Sequence, residues 1–175
     1  MDKLGELHNG ELRVANDSLI LVLELNDEDG YQWANVMYVH DQVDMATSVD
    51  LVISADSPTV ELNEALRLPN KLVIQTDLYS TCDLDHIGML VGTLGEHEED
   101  CLNELWRSKE RKPTITSDYH YTGEPFSNVS REEAEKDPRW QFKVDQGSHT
   151  RTMQSKSLSK LFEMMDNGEL QNLTI

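Results

Sequence analysis

Six histidines and two cysteines stand among 33 acidic residues, so the chemistry to test first is metal binding and acid–base catalysis. His97-Glu98-Glu99-Asp100-Cys101 opens like the helix of a zinc protease, where two histidines four residues apart hold the metal and the glutamate acts as base. The second histidine position holds Cys101, so the ligand pair is missing. The acidic segment Asn26-Asp27-Glu28-Asp29-Gly30 invites a calcium loop, but with Gly30 at the sixth position the first and twelfth ligands would be Leu25 and Val36. His8, His86, His120 and His149 fall at no metal-ligand spacing and read as surface residues. Cys82 and Cys101 lack neighbouring Cys or His partners, and two cysteines make no disulfide framework, so reduced thiols are expected. The sequence holds neither a phosphate-binding glycine loop nor a nucleophile elbow. No metal and no cofactor are expected.

Charge is more informative. Of the 33 acidic and 15 basic residues, 22 and 4 lie between Met1 and Leu105, a net charge of -18, while Trp106 to Ile175 balances 11 against 11. Salt-loving proteins are acidified throughout, which the balanced stretch from Trp106 onward does not fit. An acidic surface repels phosphate backbones and attracts basic groups. Direct nucleic-acid binding is therefore disfavoured and a basic protein partner favoured. The densest acids, Asp27, Glu28 and Asp29 in one loop and Glu96, Glu98, Glu99 and Asp100 in another segment, are the candidate interaction residues.

These residues need elements to hold them. Leu19 to Leu25 and Tyr31 to Val39 are apolar, β-branched and aromatic runs on either side of Asp29-Gly30, a pair that tolerates positive φ, and they predict a β-hairpin. Further strands are expected at Leu12–Val14, Asp50–Ser54, Lys71–Thr76 and Leu90–Leu94. Asp83 can cap a short helical turn closed by Gly88. Glu96 to Lys109 reads as a helix, with acids in its first turn, bases in its last, and Leu102, Leu105 and Trp106 on one face. Pro113 ends it. Pro113 to Val129 reads as a linker, Ser130-Arg131-Glu132-Glu133 as a capping box opening a short helix that ends near Pro138, and Trp140–Val144 as a strand by its alternation. Leu158, Leu161, Phe162 and Met165 make the stripe of a terminal amphipathic helix closed by Gly168, expected to pack on the rest of the chain.

The fold class expected is mainly β with α (α+β): a small antiparallel barrel followed by a helix over residues 1–112, and a mixed strand and helix extension over residues 113–175. No apolar run approaches the roughly 18 residues of a membrane span, and Met1 to Glu6 does not open a signal peptide. A cytoplasmic protein is expected.

The order of features resembles the PemK/MazF-like toxin family over about residues 8 to 107. Gly10-Glu11-Leu12-Arg13 leads the first strand, an apolar second strand follows, the third ends near His40, and Val73 to Asp77 leaves a buried strand. A short Asp-led turn to Gly88, Gly92-Thr93-Leu94 and a Glu-rich helix complete the set. The resemblance implies an SH3-like barrel, a homodimer, and metal-independent cleavage of single-stranded RNA by an arginine with nearby hydroxyl or acidic groups.

The chain departs from that pattern where catalysis would occur. Ser18-Leu19 stands where the family has Arg-Pro, His40 stands at the end of the third strand in place of Thr or Ser, and Gln75, Tyr79 or Ser80 replaces the usual basic residue, while the acid Asp77 is kept. Cleavage needs a cation for the phosphorane and a proton donor and acceptor. His40, Asp77 and Tyr79 are the candidate replacement acid–base set. The alternative for His40 is a strand-end histidine paired with Asp41. The leading functional expectation is a non-catalytic acidic protein that binds a basic, nucleic-acid-binding partner, in the manner of a phage or mobile-element inhibitor mimicking nucleic acid. The other is a diverged endoribonuclease toxin of a toxin–antitoxin pair.

Overall fold

A computed structural model of the chain describes residues 6–15, 18–47, 50–66, 68–111, 131–148, 163–164 and 167. Its centre is one seven-stranded antiparallel sheet in the order β4-β6-β3-β2-β1-β7-β5. The strands are β1 (Glu11–Ala15), β2 (Ser18–Glu28), β3 (Tyr31–His40), β4 (Asp50–Ser54), β5 (Glu61–Leu62), β6 (Lys71–Asp83) and β7 (Ile87–Thr93).

The hairpin of β2 and β3 forms where the sequence places it. Glu28 pairs with Tyr31 across Asp29 and Gly30, whose φ values of 53° and 86° suit a turn that matches strand twist. The apolar run of β2 is continuous rather than alternating because both faces are covered. Leu19 and Leu21 join one core with Leu12, Val39, Ile74 and Val91, while Ile20 and Val22 join a second with Leu7, Val36, Leu84 and Ile87. Each such side chain contributes about 1.5–3 kcal/mol on burial.

The expected barrel is corrected to an open sheet. β4 and β5 are its two edges, and no ladder joins them among the described residues. Gly10, at φ 84°, carries the chain into β1, its N–H donating to the Val22 carbonyl at 2.8 Å and its carbonyl accepting from Leu94 N–H at 2.9 Å.

The helix α1 (Glu96–Arg111) follows β7, with Leu102 buried in the first core. The expected turn after Asp83 exists as a 3₁₀ turn over Leu84–His86, but the Asp83 side chain does not cap it and accepts the Tyr31 hydroxyl instead.

The extension brings the main correction. A short helix α2 (Arg131–Ala134) does end before Pro138, yet Trp140–Val144 is no strand: it lies within α3 (Pro138–Ser148). Pro138 starts this helix, because Asp137 Oδ1 accepts the Arg139 N–H at 2.9 Å as an N-cap and proline is pre-shaped for the first helical position. Trp140, Phe142 and Lys143 are buried. Ser130, the linker and most of the terminal helix lie outside the described residues. Glu163 and Met164 are helical, and Met164 packs against the first core. No described helix is long and apolar enough to cross a membrane.

Candidate functional site

The sheet is irregular at one place. Met37 pairs with Tyr79 and Val39 with Ile74, so Gln75, Thr76, Asp77 and Leu78 of β6 stand opposite the single residue Tyr38 of β3. Bulges of this kind re-aim side chains and recur beside functional sites. On the other side of β6, Asp50 of β4 pairs with Gln75. Helix α3 covers this region.

Lys143 of α3 puts its ammonium 2.5 Å from Asp50 Oδ1 and 2.7 Å from Asp77 Oδ1, and none of the three side chains is exposed to solvent. The second oxygen of Asp50 is held independently, accepting the Thr47 N–H at 2.9 Å and the Thr47 hydroxyl at 3.3 Å. Burial pushes the Asp50 carboxyl up from the ordinary carboxylate range, while the Lys143 charge pulls it back. Asp77 Oδ2 has no hydrogen bond among the described residues.

His40 ends β3 in the same region. Its ring is wholly buried, with Phe142 of α3 edge-on at 4.6 Å between centroids and 64° between planes. Nδ1 accepts the Gln42 N–H at 3.0 Å, which puts the proton of the neutral ring on Nε2, and Nε2 has no acceptor among the described residues. Burial, helped by the Lys143 charge, lowers its pKa to about 3. At neutral pH this imidazole is uncharged, its one ring proton on Nε2, so it does not supply the imidazolium that a general acid would use.

The structure therefore places two of the three candidate catalytic residues, His40 and Asp77, against the same helix. Tyr79 is 59% exposed and lines a separate cavity of about 480 Å³ with Met37, Asn35, Leu102 and Asn103. Sequence reasoning missed Asp50 and Lys143. Asp50 was visible only as the first residue of a strand. Lys143 carried one signal, a lysine enclosed by Trp140, Phe142 and Val144, and the strand reading turned that lysine toward solvent.

The candidate interaction residues divide. Asp27, Glu28 and Asp29 are exposed at the hairpin end, with Asp27 accepting the Gly30 N–H at 3.2 Å and the Gln32 amide at 2.9 Å. Beside them Tyr31 stacks on Trp33 at 5.4 Å. Glu96 and Asp100 are exposed and Glu99 is half-buried. Glu98 is buried: its Oε1 accepts the Ser57 hydroxyl at 2.6 Å and the Thr59 hydroxyl at 2.7 Å. Burial raises the Glu98 carboxyl, but these hydroxyls outweigh it and hold the group below its ordinary range. It joins α1 to the loop before β5. Among the described residues, no group of three or more His, Cys, Asp or Glu side chains could hold a metal ion.

The chain matches no protein-family model, and it matches no curated protein. The geometry above is what any functional reading must stand on.

Proposed function

We propose that this is a non-catalytic acidic binding protein, a diverged PemK-like sheet domain acting in the cytoplasm on a basic protein partner whose own ligand is nucleic acid. One observation carries the reading. The potential acid–base groups His40 and Asp77 are sealed under α3, and Asp77 is engaged by Lys143, while Asp27, Glu28, Asp29, Glu96 and Asp100 face solvent. A net charge of -18 on the first 105 residues adds a field that a phosphate backbone must climb and a basic surface descends. Presenting carboxylates in this way imitates the charge of nucleic acid without its chemistry. The test is capture from a lysate at low and high salt: basic, nucleic-acid-binding proteins held at low salt and released at high salt support the reading, and none at either salt overturns it.

The endoribonuclease reading keeps one favourable observation, that two of its acid–base candidates, His40 and Asp77, lie in one region of the sheet, where both meet α3. Degradation of a mixed RNA by the purified chain, abolished by His40→Ala or Asp77→Ala, would establish it in place of the binding reading.

A further inference from the structure

The Lys143 cluster is built unlike a simple docking contact. Apolar packing holds a helix to a sheet at least as well as a buried ion pair, because both charges must first be stripped of water. α3 already supplies buried Trp140 and Phe142 for that purpose. The Asp50 carboxylate is also held without help from Lys143, by Thr47 of its own approach loop, and the bulge of β6 sets the Asp77 backbone opposite Tyr38. The site offers more hydrogen-bond acceptance than its occupant uses, since buried Asp77 Oδ2 lacks a donor among the described residues. Buried polar atoms of this kind are ordinarily paired. A guanidinium, with five N–H donors, would satisfy Asp77 Oδ2 where an ammonium between two other oxygens does not.

We propose that Asp50 and Asp77 form a pocket for an ammonium or guanidinium group, that Lys143 is its internal occupant, and that a lysine- or arginine-bearing segment of a basic protein partner takes the same place when α3 lifts. This rests on the proposed binding function and gives it a specific site and a built-in competitor. The exposed acids attract the partner; the pocket selects one side chain of it. An internal occupant present about 90% of the time weakens a competing ligand about tenfold.

The test uses the full chain and a fluorescent tetraarginine peptide, read by anisotropy, with a tetraglutamate peptide as control. Lys143→Ala should bind tetraarginine about tenfold more tightly than the unmodified chain. Lys136→Ala, which removes the same charge from an exposed position, should leave affinity nearly unchanged. Adding Asp77→Asn to Lys143→Ala should abolish the gain. A second measurement reads the pocket without a peptide: butylammonium should raise the Tm of Lys143→Ala by about 2–4 °C at a few times its dissociation constant, and leave the Lys143→Ala/Asp77→Asn protein unmoved. Should Lys143→Ala not fold, Phe142→Ala, which loosens α3 and keeps both carboxylates, must show the peptide gain instead. Peptide binding that is equal in all these proteins overturns the pocket and leaves the binding function standing. Peptide binding in none of them overturns both.

Discussion

Lys143 Nζ lies 2.5 Å from Asp50 Oδ1, a fully buried ion pair that, with the one to Asp77, ties the charge-balanced last two-fifths of the chain to its acidic first part. Ninety-three residues separate the partners in sequence. The stability of the docked helix and the availability of the carboxylates therefore depend on the same contact.

Lys143→Met should destabilise the protein by about 3–5 kcal/mol, because it leaves two buried carboxylates facing each other with no cation between them. Asp50→Asn in the same chain should recover part of that loss, since one of the stranded charges is gone. Urea unfolding of the two single variants and the double variant measures the coupling. Additive losses would mean that the pair does not act as a unit.

Acid should act through His40. Its folded pKa, about 3, lies below the ordinary value of 6.5, so the unfolded chain binds the proton first. The contribution of the neutral ring is complete above about pH 6.5 and is lost as pH falls toward 3, at up to about 1.4 kcal/mol per pH unit. Asp50 has the opposite sign: its folded pKa is raised, so it favours the folded state below its ordinary range and opposes it as pH rises. His40→Asn, which keeps an acceptor near the Gln42 N–H, isolates the histidine. The difference in stability between the parent and this variant should shrink steadily from pH 6.5 to pH 4, and a difference that stays flat would refute the assignment.

Glu98 and the hairpin acids should separate cleanly. Glu98→Ala removes the acceptor of the Ser57 and Thr59 hydroxyls and should cost about 1.5–3 kcal/mol of stability, with little effect on partner affinity beyond one unit of charge. Glu28→Gln with Asp29→Asn should do the reverse, changing stability by about 0.5 kcal/mol or less while slowing association with a basic partner and weakening its salt dependence. Thermal unfolding and stopped-flow association on the same preparations give both numbers.

Much of the fold was legible because local signals agreed with it. Asp29-Gly30 set the hairpin register, and Glu96 to Lys109 carried matching charge polarity and apolar spacing, so both elements stand where their residues place them. Closure was not legible. Whether β4 meets β5 depends on sheet curl accumulated over seven strands, and no residue records it. Trp140–Val144 failed for a narrower reason. Trp140, Phe142 and Val144 satisfy a period of two, and the helical alternative rests on Asp137-Pro138, a cap that also reads as an end to the preceding helix. That error hid the site, because only a helix turns Phe142 and Lys143 inward together. His40 and Asp77 are singled out by the resemblance to the PemK/MazF-like pattern, although Asp77 stands inside β6 and not at its end, while the helix they share comes from a segment whose relation to them exists only in three dimensions.

The proposed recognition of a basic protein, and not of RNA, by the acidic surface is read by equilibrium binding of the tetraarginine peptide to the unmodified chain. The titration is run at ionic strengths of about 0.01 M and about 1 M, where charges act over about 30 Å and about 3 Å. Clear binding is expected at low ionic strength, weakening at least about tenfold at high ionic strength, with no binding of a labelled single-stranded RNA in either condition. RNA binding that survives high ionic strength, or no peptide binding at low ionic strength, would contradict it.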